Sequence, residues 1–382
     1  MARFPTARRR ARPAGFSLVE LLIAMTLGLV VLGGLVAVFA GNRRASDLNV
    51  AMADMQESVR FAMSVIAGDL RMAGHQGCLD FNGASVSVVA DDAPTADYRR
   101  TAVGGAVVQS ASVWSPAFAL GTAPNAFAPP SAPPAVPGTH ALAVQFGGPE
   151  VLELRAGMRD GAGNPDASVA LPLAGPLDVA VGDPVLVSTC EDGEIFAVTD
   201  VAADVDGNVS LGHDATRNAS GSFLEAYGTG TTASQVRVMP FSTNVYYVGD
   251  TGLRNAEGRP IRALYQQSAP FDAAANPPVE LVRGVENMRL GFGIGTAGAG
   301  LRHVGSDSAD YDPTRIRSVR IGLLMASDEP IASAVDTRDY VLAGQTIASS
   351  ATSTDGTDHR ADRRFRLAFN TTVKVRNRRA AE

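Results

Sequence analysis

Polar and apolar positions divide the chain into three regimes. From residue 16 to residue 40 the chain is apolar except for Ser17, Glu20 and Thr26, and Glu20 carries the only charge. As a helix this stretch would rise about 37 Å, enough to cross a hydrocarbon layer of about 30 Å. Past Gly41 the pattern becomes one-sided. Leu48, Met52, Met55, Val59, Ala62, Ile66, Leu70 and Ala73 recur at steps of three and four, while Asp47, Asp54, Glu57, Arg60 and Asp69 fall on other faces. That spacing predicts an amphipathic helix continuing the apolar one, with its stripe against a globular head and its methionines as core filler. Gly74 and Gly77 are placed to end it.

From Cys78 onward the periodicity switches to short β-type runs bounded by Gly, Asp or Pro. They occupy 139–146, 183–190, 195–201, 242–249, 280–295, 315–326 and 364–375. In the last run Phe365, Leu367, Phe369, Thr371, Val373 and Val375 share one face, the mark of a half-buried antiparallel strand. The fold expected is α+β: a helix over 16–75, membrane-spanning at 16–40, on a large antiparallel β-rich head over 76–382. The Pro/Ala-rich stretch 119–138 is too poor in core residues for a packed element and reads as a surface loop. No internal repeat is visible.

Charge adds an orientation. The first 15 residues hold five arginines and no acid, so against a net charge of −6 the rest of the chain carries −11. Arginines ahead of an apolar span keep the amino terminus in the cytoplasm and send the bulk across. An acidic bulk excludes electrostatic binding to nucleic acid. A secretory signal peptide, with Val38-Phe39-Ala40 as its cleavage site, is the bland alternative. Two features oppose it. The apolar run exceeds the usual 7–15 residues, and Glu20 costs a few kcal/mol in a membrane helix to no benefit in a discarded peptide.

The residues Gly15-Phe16-Ser17-Leu18-Val19-Glu20 resemble the processing site of type IV prepilins. The resemblance implies a leader, 1–15, removed by a prepilin peptidase that cuts after Gly15, and methylation of the new amino terminus on Phe16. Pro13 and Gly15 suit such a site, since both discourage helix through the scissile bond. Glu20 then becomes the counter-ion for the new amine of a neighbouring subunit, setting the register between helices, because an unpaired carboxylate is costly in a low-dielectric bundle. A protonated glutamate near the headgroups is the alternative.

Further stretches resemble PilW-type minor pilins: 60–78, the strand ending at Cys190 with 193–200 after it, 245–249, 281–294 and 369–378. Residues 80–138 and 325–360 do not contribute. The resemblance implies a non-enzymatic minor pilin that takes part in priming type IV pilus assembly within a pilus-tip complex. Its partners would be other minor pilins, the major pilin, the prepilin peptidase and the inner membrane, with the head periplasmic before assembly and the subunit in the pilus afterwards. A type II secretion pseudopilin shares such an amino terminus. A signal-anchored periplasmic enzyme or binding protein and a tip adhesin are the rivals from other classes.

Candidate chemistry elsewhere is sparse, and no cofactor is expected. Cys78 and Cys190, the only cysteines, are too few for a zinc cage, and an exported chain with an even count points to one disulfide; two buried thiols are the alternative. Asp204, Asp206 and Asn208 could contribute to a calcium loop, but the EF-hand order is missing and Asp206-Gly207 signals a hairpin turn. Asp307, Asp310 and Asp312 pose the same choice. The G-x-G-x-x-G match at 293–298 lacks a following helix and reads as a glycine loop. His75, His140, His213, His303 and His359 form no ligand or catalytic motif, and Trp114 is core or loop.

Overall fold

The computed structural model describes residues 17–79, 85–91, 101–118, 132–223, 225–229, 235–271, 276–296 and 300–377. One helix, Leu18–Met72, opens the chain. Two compact units divide within it, Met1–Ala51 and Met52–Glu382. In the first, the apolar side chains from Leu18 to Phe39 are exposed all round. Leu18–Phe39 rises about 33 Å, and the helix is long and apolar enough to cross a membrane.

In the second unit the helix is one-sided, as its spacing predicts. Ala62, Ile66 and Leu70 are fully buried and Met55 and Val59 nearly so, whereas Met52 is exposed. This stripe packs into the main core with Leu142, Val144, Tyr246, Leu290, Phe292, Val319, Ile321 and Val373, drawn from two sheets.

The larger sheet is organised by the strand Arg237–Arg254. Its first residues pair antiparallel with Pro184–Ser188, and Arg237 and Val238 also with Leu152–Glu153. Its later residues pair with His140–Gly147 on one side and Pro260–Ser268 on the other. Pro240 lies where the partners change, and having no N–H it donates nothing to the ladder there. Asn255 closes the hairpin to Pro260–Ser268, its side-chain oxygen accepting from the Glu257 and Arg259 amides. The second sheet runs Gly300–Val304, Val285–Thr296, Ile316–Ala326, Arg366–Lys374, all antiparallel. The α+β architecture read from the sequence is therefore the one observed.

Three local expectations need correction. Asp69 does not sit on an outer face; it is drawn under the head by Asn244 and Tyr246. The Pro/Ala-rich stretch is packed at its end: Ala135 and Val136 are buried, and the Val136 amide donates to the Val248 carbonyl; residues 119–131 lie outside the described ones. The glycine motif does not open as a loop, because Gly293 and Gly295 are strand residues opposite His303 and Leu301. A Cβ at Gly293 would meet the Ser318 hydroxyl at 2.1 Å, so close packing explains the missing side chain. Trp114 belongs to the core, 5.4 Å from Phe118 and 5.8 Å from Tyr247.

Candidate functional site

The amino-terminal helix begins with a reciprocal pair. The Ser17 amide donates to Glu20 Oε2 at 3.0 Å, and the Glu20 amide donates to Ser17 Oγ at 3.1 Å. This is a capping box: two amides that no helical carbonyl can reach are satisfied by side chains three residues apart. The S-x-x-E spacing of Ser17 and Glu20 is the sequence signal for this box. The box engages Oε2 and leaves Oε1 without a partner among the described residues. Gly15 and Phe16, the expected cleavage and methylation positions, lie outside the described residues.

The other end of the helix is tied three ways. Asn244 Nδ2 donates to Asp69 Oδ2 at 2.6 Å, and the Tyr246 hydroxyl donates to the same oxygen. Burial raises the Asp69 pKa, and these two bonds oppose that rise. Gly74 adopts φ +75°, turning the chain out of the helix. Asn377 Nδ2 donates to the Met72 and Ala73 carbonyls at 3.2 and 3.3 Å, so residues near the end of the chain cap the last turn. Beyond the turn, Cys78 is bonded to Cys190, Cα to Cα 4.9 Å, which fastens the helix exit to the turn between the strands Pro184–Ser188 and Asp192–Ala197.

A charge cluster that sequence reasoning missed occupies the second sheet. Glu286 Oε2 accepts from Arg366 Nε at 2.5 Å and its Oε1 lies 2.5 Å from Arg364 Nη2. Asp362 bridges the same two arginines at 3.0 and 2.8 Å. Arg366 is completely buried, on the strand face opposite the apolar alternation. Burial alone would raise the Glu286 pKa, but Arg364 and Arg366 outweigh it and hold the carboxyl at about 2. Asp336 is held near 2 in the same way, with burial opposed by bonds from Arg338 and Tyr340. Strand alternation assigns Arg366 to solvent, and only the density of charge in 362–366 hints otherwise.

The candidate calcium loop is a hairpin turn. Asp204 Oδ1 accepts from the Asp206 and Asn208 amides at 2.9 Å each, Oδ2 accepts from Asn208 Nδ2 at 3.0 Å, and Arg155 pairs with Oδ2. Asp206 supplies an amide there and Asn208 an amide and a side chain. Asp312 caps a short 3-10 turn, accepting from Thr314. Among the described residues no three His, Cys, Asp or Glu gather to hold a metal. Of the histidines, His140 is buried and accepts from the Leu290 amide at 3.2 Å; burial and then Arg289 lower its pKa to about 3, so it stays neutral.

The chain matches known families in two regions. The prokaryotic N-terminal methylation motif covers residues 10–36, and the type IV pilus-assembly protein W family covers residues 245–377. The second match includes the charge cluster and 325–360, which had shown no resemblance; the stretches 60–78 and 193–200, which had, lie outside both. The pilin-like protein PilA3 of Thermus thermophilus is 42% identical over 60 residues, which are 16% of this chain; the match spans about a quarter, 26%, of that relative. No solved structure matches. A capped apolar helix on a β-rich head is the layout of a pilin. By these matches the chain is similar to type IV pilins, and its head to those of the PilW minor-pilin type.

Proposed function

We propose that this chain is a minor pilin processed between Gly15 and Phe16, methylated on Phe16, and assembled into a pilus-tip complex that primes type IV pilus growth. The observation that carries the reading is the exposed apolar helix from Leu18 to Phe39, lying within and just beyond the methylation-motif match. Such a surface is stable only in lipid or among like helices. The helix therefore spans the inner membrane over 16–40 before assembly, with the head over 76–382 outside the cytoplasm, and afterwards lies among the helices of other minor pilins and the major pilin. Transfer between the two environments must be coupled, because neither leaves the apolar surface in water.

Glu20 serves twice in this scheme. Oε2 caps its own helix through Ser17, and Oε1 remains for the amine of a neighbouring Phe16, so a helix stacked at the wrong height leaves a charge unpaired. Cys78–Cys190 and Asn377 fix the head to the helix exit, so the head's lateral surfaces select the neighbours.

Intact-mass measurement of protein from its native membranes tests the reading. A mature chain beginning at Phe16 and heavier by one methyl group is expected. A chain beginning near Gly41, or an uncleaved one in cells with an active prepilin peptidase, refutes it.

A further inference from the structure

Within the family-matched part of the head lies a cavity of about 110 Å³ walled by Arg259, Arg262, Arg360 and Arg364 against Glu286 and Asp355. The charges do not balance locally. Arg364 is matched by Asp362 and Glu286, and Glu286 is shared with Arg366. Arg259, Arg262 and Arg360 form no ion pair among the described residues. Arg262, only 8% exposed, donates to three backbone carbonyls, those of Glu286, Asp355 and Thr354, at 3.1 to 3.2 Å. Arg360 reaches the Ser353 carbonyl, while the Nε atoms of Arg259 and Arg360 are buried and without an acceptor among the described residues. Asp355, the one carboxylate left, already accepts from the Thr357 amide at 2.8 Å.

Three guanidiniums thus face Asp355 and a Glu286 already shared by two other arginines around an open volume. Carbonyl dipoles offset a buried cation only in part, and an unsatisfied buried N–H adds its own cost. A negatively charged occupant would relieve both. Guanidinium forks match paired oxygens, and the space, several times what one water needs, admits a small group and not a nucleotide. The lip includes exposed Thr354, so the cavity is reachable.

We propose that this cavity binds a small oxyanion, either free phosphate or a carboxylate group. The site uses none of the residues on which the pilus reading rests, and its test does not depend on that reading. Full-length protein in detergent is melted in increasing inorganic phosphate, in acetate, and in sodium chloride at matched ionic strength. A saturable rise of a few degrees in phosphate over chloride is expected, falling by more than half in Arg360→Gln and Arg259→Gln, which alter half-buried side chains and should fold. A rise in acetate alone upholds the site and assigns it to a carboxylate, as a neighbouring protein would supply. Identical melting in the three salts, or a phosphate response undiminished in the R259Q/R360Q double variant, overturns the proposal.

Discussion

Replacing Glu286 by glutamine leaves the shape of the charge cluster nearly unchanged and removes the carboxylate that two buried arginines share. Arg366 has no exposed surface and Arg364 is 5% exposed, so neither can recover hydration. Asp362 remains close to both, and Asp336 lies 3.8 Å from Arg366. The drop of the Glu286 pKa from 4.5 to about 2, at roughly 1.4 kcal/mol per pH unit, corresponds to about 3 kcal/mol of stability at neutral pH. That agrees with the roughly 3–5 kcal/mol lost when one partner of a buried pair is removed. A carboxylate with a depressed folded-state pKa contributes fully above pH 4.5 and loses that contribution as pH falls toward 2. Denaturant titration of the full chain, followed by the fluorescence of Trp114, reads the head directly, since this single tryptophan is 6% exposed in its core. The variant should unfold about 3 kcal/mol more easily at pH 7, and the gap to wild type should close between pH 5 and pH 2. A difference under about 1 kcal/mol at pH 7, or one that does not change with pH, would refute the account of Glu286 as the anchor of the cluster.

Two further outcomes are expected. Cys78→Ser opens a loop of sequence separation 112 and should lower head stability by about 4–5 kcal/mol in the chain-entropy picture; a denaturation midpoint indifferent to reductant would show that the bond does not constrain the head. Ser17→Ala removes one arm of the capping box and should cost the isolated helix about 1 kcal/mol while leaving pili intact, whereas Glu20→Ala should permit export and cleavage but impair piliation. Equal piliation in the two variants would reduce Glu20 to a cap.

The helix and most strands were legible because each is a local pattern. The stripe from Met55 to Leu70 and the alternation from Phe365 to Val375 needed only their own periods. Asp69 was misplaced because helical spacing puts it beside the stripe, and nothing local announces that Asn244 and Tyr246 reach it. Arg366 was hidden for a similar reason, since its partners Glu286 and Asp336 are distant in sequence and alternation alone sends it outward. The cysteine pair was open to counting, there being only two candidates. Of the candidate assembly site, Glu20 and its apolar surroundings are plain in the sequence, whereas the register role proposed for it involves a second chain.

Asn377 has a consequence for biosynthesis. Its bonds to Met72 and Ala73 span separations of 305 and 304 residues, and Val373 and Val375 complete the core on which the helix stripe lies. A nascent chain therefore cannot finish the head until residue 377 has left the ribosome. Lipid can receive the apolar segment long before that, so anchoring precedes maturation, and a chain cut before Val373 would be a tethered but incomplete molecule.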